Sequence, residues 1–427
     1  MTHRQAEHEV QPVITSRPVR RLLAGPPLDG RPEPYAAHVE RLGPLPPVGD
    51  ADGAIAALES SGLRGRGGAG FPVGRKWRSV AERSHGRAVV VANGAEGEPA
   101  SAKDQVLMTH RPHLVVDGAI LAAGAVGADE IVFYVGGEHR AAVDAIGRSM
   151  QERRGDVAVP MRLVEAPVGY VAGEESAVVS WIDGGDARPT ASPPRVFERG
   201  VGGRPTLVQN VESLAHAALI ARFGDRWYRS AGRLETRGTA LVTVSGAVRS
   251  PGVHEIEVGT TLAEVVDDAG GLTAGLGAAL LGGYFGTWAR PDDAWDLPLD
   301  PGEMRVHGLT FGCGIVGLLP AKACGVAATA GIIGFLARES VGQCGPCLLG
   351  LGAVAEATAR IARGAAGPSD LADVERWVAM LPGRGACRHP DGAAQLMTSA
   401  HDVFGEDFVS HAQTGRCAVA ETQVAVA

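Results

Sequence analysis

Between Gly62 and Trp77, six of sixteen residues are glycine, and four cations (Arg64, Arg66, Arg75 and Lys76) stand among them. Glycine lets a backbone turn left-handed and pass close to a ligand. Free N–H groups beside positive charge are suited to holding phosphate, although a flexible surface loop has the same composition. Gly65-x-Gly67-x-x-Gly70 matches the dinucleotide fingerprint literally, but that fingerprint follows a strand, and residues 53–61 read as helical. A P-loop also fails, because no Gly-Lys-Ser/Thr follows at the required spacing. Another nucleotide or flavin phosphate site is left.

Three further stretches carry chemistry. Asn93-Gly-Ala-Glu96-Gly-Glu98-Pro99, followed by Lys103-Asp104, comes just after an apolar run at residues 88–92. Ligands gather at the carboxyl ends of strands in open α/β sheets, where Asn93 can bond a flavin edge and Glu96 and Glu98 can hold ribityl hydroxyls or an amide. Gly173-Glu174-Glu175-Ser176 puts two adjacent carboxylates where a helix opens, a position its dipole favours in any case. Cys344-Gly-Pro-Cys347 offers two soft ligands from one loop, with Cys387 about forty residues on. Such spacing suits iron–sulfur or zinc, and also a redox pair, although no thioredoxin-like context surrounds it.

The elements that position these residues follow from periodicity. Residues 88–92, 130–135 and 157–165 read as strands, and 114–126 and 141–153 as helices, a βαβ rhythm that implies a mostly parallel sheet covered by helices. Residues 240–248 and 253–258 form a hairpin around Ser250-Pro-Gly252. Thr261 is placed to cap a helix over 262–269 that Gly270-Gly271 ends. Leu351, Val354, Ala357 and Ile361 make one helical stripe, and Leu371, Val374, Trp377, Val378 and Leu381 another; a last helix is expected over 401–411. The apolar run 309–337 has one charge, Lys322, and is broken by Pro320, so it reads as buried core rather than as a span of roughly 20 residues. The resulting fold is α/β. A Pro/Arg-rich, mostly irregular tail (1–50) precedes a nucleotide-binding domain (51–235), a small β-grasp unit (236–310) and a helical region (311–427).

Composition narrows the function classes. The chain has 427 residues, a formal net charge of −8 and six cysteines. The charge argues against nonspecific nucleic-acid binding. The first ten residues hold no apolar signal-peptide core, and the cysteine usage suits a reducing compartment. A cytoplasmic location is expected.

From Gly65 to Trp77 the chain resembles the NADH-binding flavoprotein subunit of respiratory NADH dehydrogenase, the complex I 51 kDa family, whose loop reads Gly-Arg-Gly-Gly-Ala-Gly-Phe-Pro-Thr-Gly-x-Lys-Trp; Val73 replaces the Thr. The resemblance runs from about residue 50 to Cys417. It implies a Rossmann-like FMN domain, a soluble-ligand-binding β-grasp domain and a C-terminal helical iron–sulfur domain. The cofactors it implies are FMN and a [4Fe–4S] cluster, with NAD(H) as substrate. It also implies partner redox subunits carrying further clusters, and attachment to a membrane, if any, only through a complex.

By this resemblance Gly65, Arg66, Gly67, Gly68, Phe71 and Lys76 bind cofactor, together with Asn93, Glu96, Glu98 and Gly173. Glu174 and Glu175 lie beside the flavin ring and the nicotinamide. Gln209, Asn210 and Ser213 match flavin contacts in Gly203-Arg-Pro-Thr-Leu-Val-Gln-Asn-Val-Glu-Ser213, with Gln209 in place of an Asn. Cys344, Cys347 and Cys387 match three cluster ligands.

Several positions depart from the family. Ala95 stands for a flavin-contacting Asp, Ser79 for a Phe, and Ser192 and Arg195 for a Lys and a Phe of the nicotinamide site. Val341 stands for the first cluster Cys. Three outcomes stand open for the cluster: another group such as Cys324 completes it, a three-thiolate or [3Fe–4S] form assembles, or none does. The expected activity is NADH oxidation through FMN to iron–sulfur. The alternative is an FMN-binding relative fed by a ferredoxin-like partner, or a scaffold.

Overall fold

Strand β1 (Ala88–Gly94) is almost entirely buried, because it has a parallel neighbour on each side and a packed layer on each face. The computed structural model describes residues 20–29, 31–47, 49–155, 157–417 and 419. With β2 (Ala128–Gly136), β3 (Met161–Ala166) and β4 (Thr206–Asn210), β1 forms a parallel sheet of order β3-β2-β1-β4. Val90 and Ala92 face one apolar cluster, and Val89 and Val91 face another on the opposite side. This two-sided burial explains a run of four consecutive apolar residues.

On the first face the helices Pro112–Val126 and Val211–Arg229 lie against each other. They approach so closely that a Cβ on Gly118 would fall 2.1 Å from the Leu214 carbonyl oxygen. The helix Glu175–Ile182 serves the second face, through Val178. β3 starts at Met161, four residues later than the reading from 157, directly after Pro160, which has no N–H to give a ladder.

The second sheet has the order β6-β5-β9-β7-β8. Its strands are β5 (Thr239–Gly246), β6 (Gly252–Glu257), β7 (Leu276–Leu281), β8 (Thr287–Ala289) and β9 (Ile315–Pro320). The hairpin and the Thr261-capped helix lie where the sequence predicts them. Thr261 and Glu264 form a reciprocal capping box on Leu262–Asp268.

Ile315–Pro320 is the middle strand of this sheet, parallel to β5 and antiparallel to β7, and the helices follow it. The apolar run is therefore a strand followed by the helix Gly325–Arg338. Among the described residues no helix is long and apolar enough to cross a membrane.

The C-terminal helices are Gly325–Arg338, Gly352–Ala362, Asp370–Met380 and His389–Thr414, with a π-helical turn at Pro346–Leu351. Leu351, Val354, Ala357 and Ile361 are all buried in their common core. Residues 401–411 belong to the last helix, which begins at His389 with Pro390 in its first turn, where a missing N–H does no harm.

Residues 1–19 of the expected irregular tail lie outside the described residues. The remainder is more ordered than its composition suggests. Tyr35–Leu42 is helical, and the N–H groups of Arg21, Leu22 and Leu23 all donate to the Glu255 carboxylate of β6.

Candidate functional site

The glycine stretch folds as a loop closed at its base. Gly65 N–H donates to the Phe71 carbonyl (2.9 Å) and Val73 N–H to that of Leu63 (3.0 Å). Gly68 takes φ +103° and Gly70 φ +63°, a region that residues with a Cβ avoid. Among the described residues the N–H groups of Gly67, Gly68, Ala69 and Gly70 have no backbone acceptor. They border a cleft of about 1330 Å³. Lys76, on the first turn of Val73–Ser84, reaches the same cleft, where its ammonium meets the Glu175 carboxylate and the Val208 carbonyl.

Two predicted residues act differently from expectation. The Arg66 guanidinium turns inward, donating to the Thr239 carbonyl at 2.9 Å. Ser213 is fully buried and does not line the cleft; its hydroxyl accepts the Arg66 N–H at 2.9 Å and so props the loop from below.

The floor is built at the carboxyl ends of β1 and β4, where Asn93 pairs with Asn210. Asn93 Nδ2 donates to the Gly173 carbonyl at 2.9 Å, which ties the floor to the turn after β3. Asn210 caps Val211–Arg229 through its Oδ1 and donates from Nδ2 to Asp104 at 2.7 Å. Gln209 is buried, and its Oε1 has no partner among the described residues.

Beneath the floor Lys103 is held between Asp104 (2.7 Å) and Glu212 (3.0 Å). Burial opposes its charge, but the carboxylates of Asp104, Glu212 and Glu96 outweigh burial and raise its pKa.

The acidic residues divide by task. Glu96, at φ +41°, turns its carboxylate onto the helix Lys103–His110 and accepts from Ser101 Oγ (2.6 Å), Asp104 N (3.0 Å) and Gln105 N (2.8 Å). Burial and the neighbouring Asp104 charge push its pKa up to about 7. Glu98 accepts from Tyr170 Oη (3.0 Å) and Tyr284 N (2.8 Å), and burial raises its pKa too. Glu174 caps Glu175–Ile182, accepting from Ser176 N and Ala177 N. Glu174 is engaged only through Oε2 and Glu175, half exposed at the rim, only through Oε1, so among the described residues each has a second oxygen without a partner.

The three predicted thiols are neighbours. Cys347, in the π-helical turn, lies close enough to Ser340, Cys344 and Cys387 for each to act on its thiol. Burial pushes Cys347 up to about 11 and also raises Cys387. Cys387 lines the cleft, whereas Cys344 and Cys347 stand behind it. Cys324 does not join them, because it lies against His411 and Cys417. Cys313 lines the cleft beside Glu98, its thiol donating to the Gly282 carbonyl at 3.3 Å.

The cleft therefore gathers Gly65, Arg66, Gly67, Gly68, Phe71, Lys76, Asn93, Glu96, Glu98, Gly173, Glu174, Glu175, Gln209, Asn210 and Cys387 on one surface. Tyr170 and Phe285, packed edge-to-face at 4.8 Å, also line it. Only their position in the fold reveals them, because neither belongs to a motif with its own chemistry.

These residues fit a flavin phosphate and ring. Gly67 to Gly70, whose N–H groups have no backbone acceptor among the described residues, line the cleft together with Lys76 and with Gln209, whose Oε1 has no partner there. The donor set near Cys347 fits iron–sulfur chemistry with three thiolates, since Val341 carries no donor.

Comparison with known proteins agrees in order and extent. Residues 58–218 match the Nuo51 FMN-binding domain, 241–283 the SLBB domain, and 327–411 the NADH-ubiquinone oxidoreductase-F iron–sulfur binding region. The chain is 30% identical over 396 residues to the second NADH-quinone oxidoreductase F subunit of Rhizobium meliloti, covering 90% of this chain and 93% of that protein. It is 32% identical over 372 residues to the corresponding F subunit of Escherichia coli, covering 84% of each.

Among solved structures it superposes on NAD+-reducing [NiFe]-hydrogenase in the air-oxidized state. The TM-score is 0.80 at 31% identity, over 90% of this chain and 66% of that one. For the H2-reduced state the TM-score is 0.78 at 30% identity, over 86% and 63%. The chain thus spans a little under two thirds of the solved hydrogenase chains. With one continuous alignment across nearly the whole of its curated relatives, the chain belongs to the family of NADH-quinone oxidoreductase F subunits.

Proposed function

We propose that this chain oxidises NADH with FMN seated in the cleft and passes electrons to an iron–sulfur cluster on Cys344, Cys347 and Cys387. The observation that carries the reading is a shared wall: the glycine loop, the ends of β1 and β4, the Glu174-Glu175 turn and Cys387 all border one cavity. When bound, FMN supplies the ability to accept a hydride and release its electrons singly.

The residues' tasks follow from their positions. The N–H groups of Gly67–Gly70 and the Lys76 ammonium hold phosphate. Asn93 and Gln209 offer hydrogen bonds to the ring and its side chain. Glu174 is held rigid by its helix, and Glu175 borders the space where a nicotinamide donor enters. Phe71, half exposed at the rim, offers a face for stacking. Burial around Tyr170, Phe285 and Cys313 keeps water from the inner end. Partners carrying further clusters receive the electrons, and the proposed setting is a complex at the cytoplasmic side of a membrane.

The test is an anaerobic absorbance spectrum of the purified chain before and after NADH. Flavin bands that bleach with NADH over a broad iron–sulfur shoulder support the proposal. Flavin bands that persist remove NADH as the donor, and the absence of flavin removes the proposal altogether.

A further inference from the structure

Away from the cleft, three ligand atoms of metal-binding type lie within 4.8 Å of one another, from Cys324, His411 and Cys417. They come from separate places in the chain. Cys324 is the N-cap of Gly325–Arg338, where its sulfur accepts the Ala327 N–H at 3.3 Å. His411 is buried on the last turn of His389–Thr414. Cys417 follows Gly415, whose left-handed φ of +65° turns the chain back after that helix.

We propose that Cys324, His411 and Cys417 form a second metal site, for a zinc-class divalent ion, which clasps the C-terminal end of the last helix to the start of Gly325–Arg338.

Geometry supports a mononuclear ion. His411 Nε2 lies 3.4 Å from Cys324 Sγ. Zinc–sulfur and zinc–nitrogen bonds of about 2.3 and 2.05 Å at a tetrahedral angle place S and N roughly 3.6 Å apart. The pair is thus at ligand spacing, and the third donor lies inside the same sphere. Two thiolates and an imidazole suit zinc, copper(I) or cobalt(II) and are poor ligands for magnesium or calcium. Binding displaces both thiol protons, so the two sulfurs neutralise the dication while His411 stays neutral. Three protein ligands leave a fourth position open.

His411 presents Nε2 to the Cys324 sulfur, and its Nδ1 is buried without a partner among the described residues.

The site is separate from the cluster thiols. The close group of donor atoms holds Cys324, His411 and Cys417 and none of Cys344, Cys347 or Cys387.

Two measurements on the full chain test this. The first needs no variant. The FMN-loaded protein is alkylated with iodoacetamide under anaerobic conditions, with added Zn²⁺ and again after chelation, and the labelled cysteines are mapped by mass spectrometry. The expected result is Cys324 and Cys417 protected together by Zn²⁺ and labelled after chelation. Labelling indifferent to Zn²⁺, or a Cys324–Cys417 disulfide in the anaerobic protein, overturns the proposal.

The second is a Co²⁺ titration of a Cys344→Ser, Cys347→Ser, Cys387→Ser variant, with retained FMN as the sign of folding. One equivalent of Co²⁺ with a thiolate charge-transfer band that Zn²⁺ displaces is expected. Adding Cys417→Ser should weaken Co²⁺ binding at least tenfold. A band that survives Cys324→Ser and Cys417→Ser together places the metal elsewhere.

Discussion

Asn210 Nδ2 donates to Asp104 Oδ2 at 2.7 Å, so the residue that ends β4 also holds the helix that follows the Asn93 turn. Asp104 passes the connection on to Lys103, and Lys103 to Glu212, in the first turn of the helix that Asn210 caps. Glu212 in turn accepts the Leu241 N–H of β5 at 2.9 Å. The cleft floor and the second sheet are thereby tied through one buried chain of charges.

Lys103 is the middle of that chain, and its removal should be costly. Lys103→Met leaves the Asp104 carboxylate buried without its cation, and Glu212 with only the more distant Arg66 at 3.8 Å. Breaking one partner of a buried ion network costs about 3–5 kcal/mol. Urea unfolding of Lys103→Met should show a loss of that order, with FMN released before global unfolding. A loss below about 1 kcal/mol would mean that the network contributes no more than surface ion pairs do.

Gly68 separates backbone conformation from packing. Its φ is +103°, yet a Cβ there meets nothing within 4 Å. Gly68→Ala therefore creates no clash and acts only by pulling the loop out of the left-handed region, at about 1–3 kcal/mol. FMN affinity should fall about tenfold, equivalent to 1.4 kcal/mol, while the urea midpoint of the apoprotein moves little. A fluorescence titration with FMN reads the first quantity directly. Unchanged affinity would show that the N–H groups of this loop do not hold the phosphate.

Much of this was legible locally. Thr261 marked the cap of the helix after it, and glycines among cations marked the loop that borders the cleft. The difficulty lay in long-range pairing. Ile315–Pro320 reads as apolar core, but its membership of the second sheet depends on β5, some seventy residues earlier. Arg66 reads as a phosphate ligand until Thr239 and Tyr228 are placed beside its guanidinium. Ser213 sits in a cofactor motif, but its hydroxyl is occupied by Arg66 N–H. Glu96 takes a backbone conformation with φ +41°, which aims its carboxylate at a helix rather than at the open cleft. Motif spacing reports which residues come near a site; only packing decides which of their atoms remain available.

Asp117 predicts acid sensitivity. Its carboxylate is buried against His38 (2.7 Å), Arg153 (2.6 Å) and Arg222 (2.6 Å). Burial alone would raise its pKa, but these three partners outweigh burial and hold it at about 2, against an ordinary 3.8. The folded chain thus binds fewer protons here than the unfolded chain does. The stabilisation is complete above 3.8 and is lost as pH falls toward about 2. Denaturation midpoints measured from neutral pH downward should drop across that window. Asp117→Asn should cost about 3–5 kcal/mol at pH 7 and flatten the acid limb. An acid limb of unchanged slope would assign the transition to other carboxylates.

Val341 is the departure whose reversal is most informative. It follows Ser340, which lies beside the Cys347 thiol, so position 341 stands next to the thiol set. Val341→Cys removes volume from a half-buried loop position, and a swap of this size costs less than about 1.5 kcal/mol. With a fourth thiolate, iron and sulfide per FMN should rise, or survive aerobic gel filtration that strips them from the wild type. Electron paramagnetic resonance of the two proteins then reads the cluster type, and a change from a three-iron to a four-iron signature is the strongest form of the result. Equal iron content and identical spectra would show that position 341 does not face the open corner, and that the chain completes its cluster with another group.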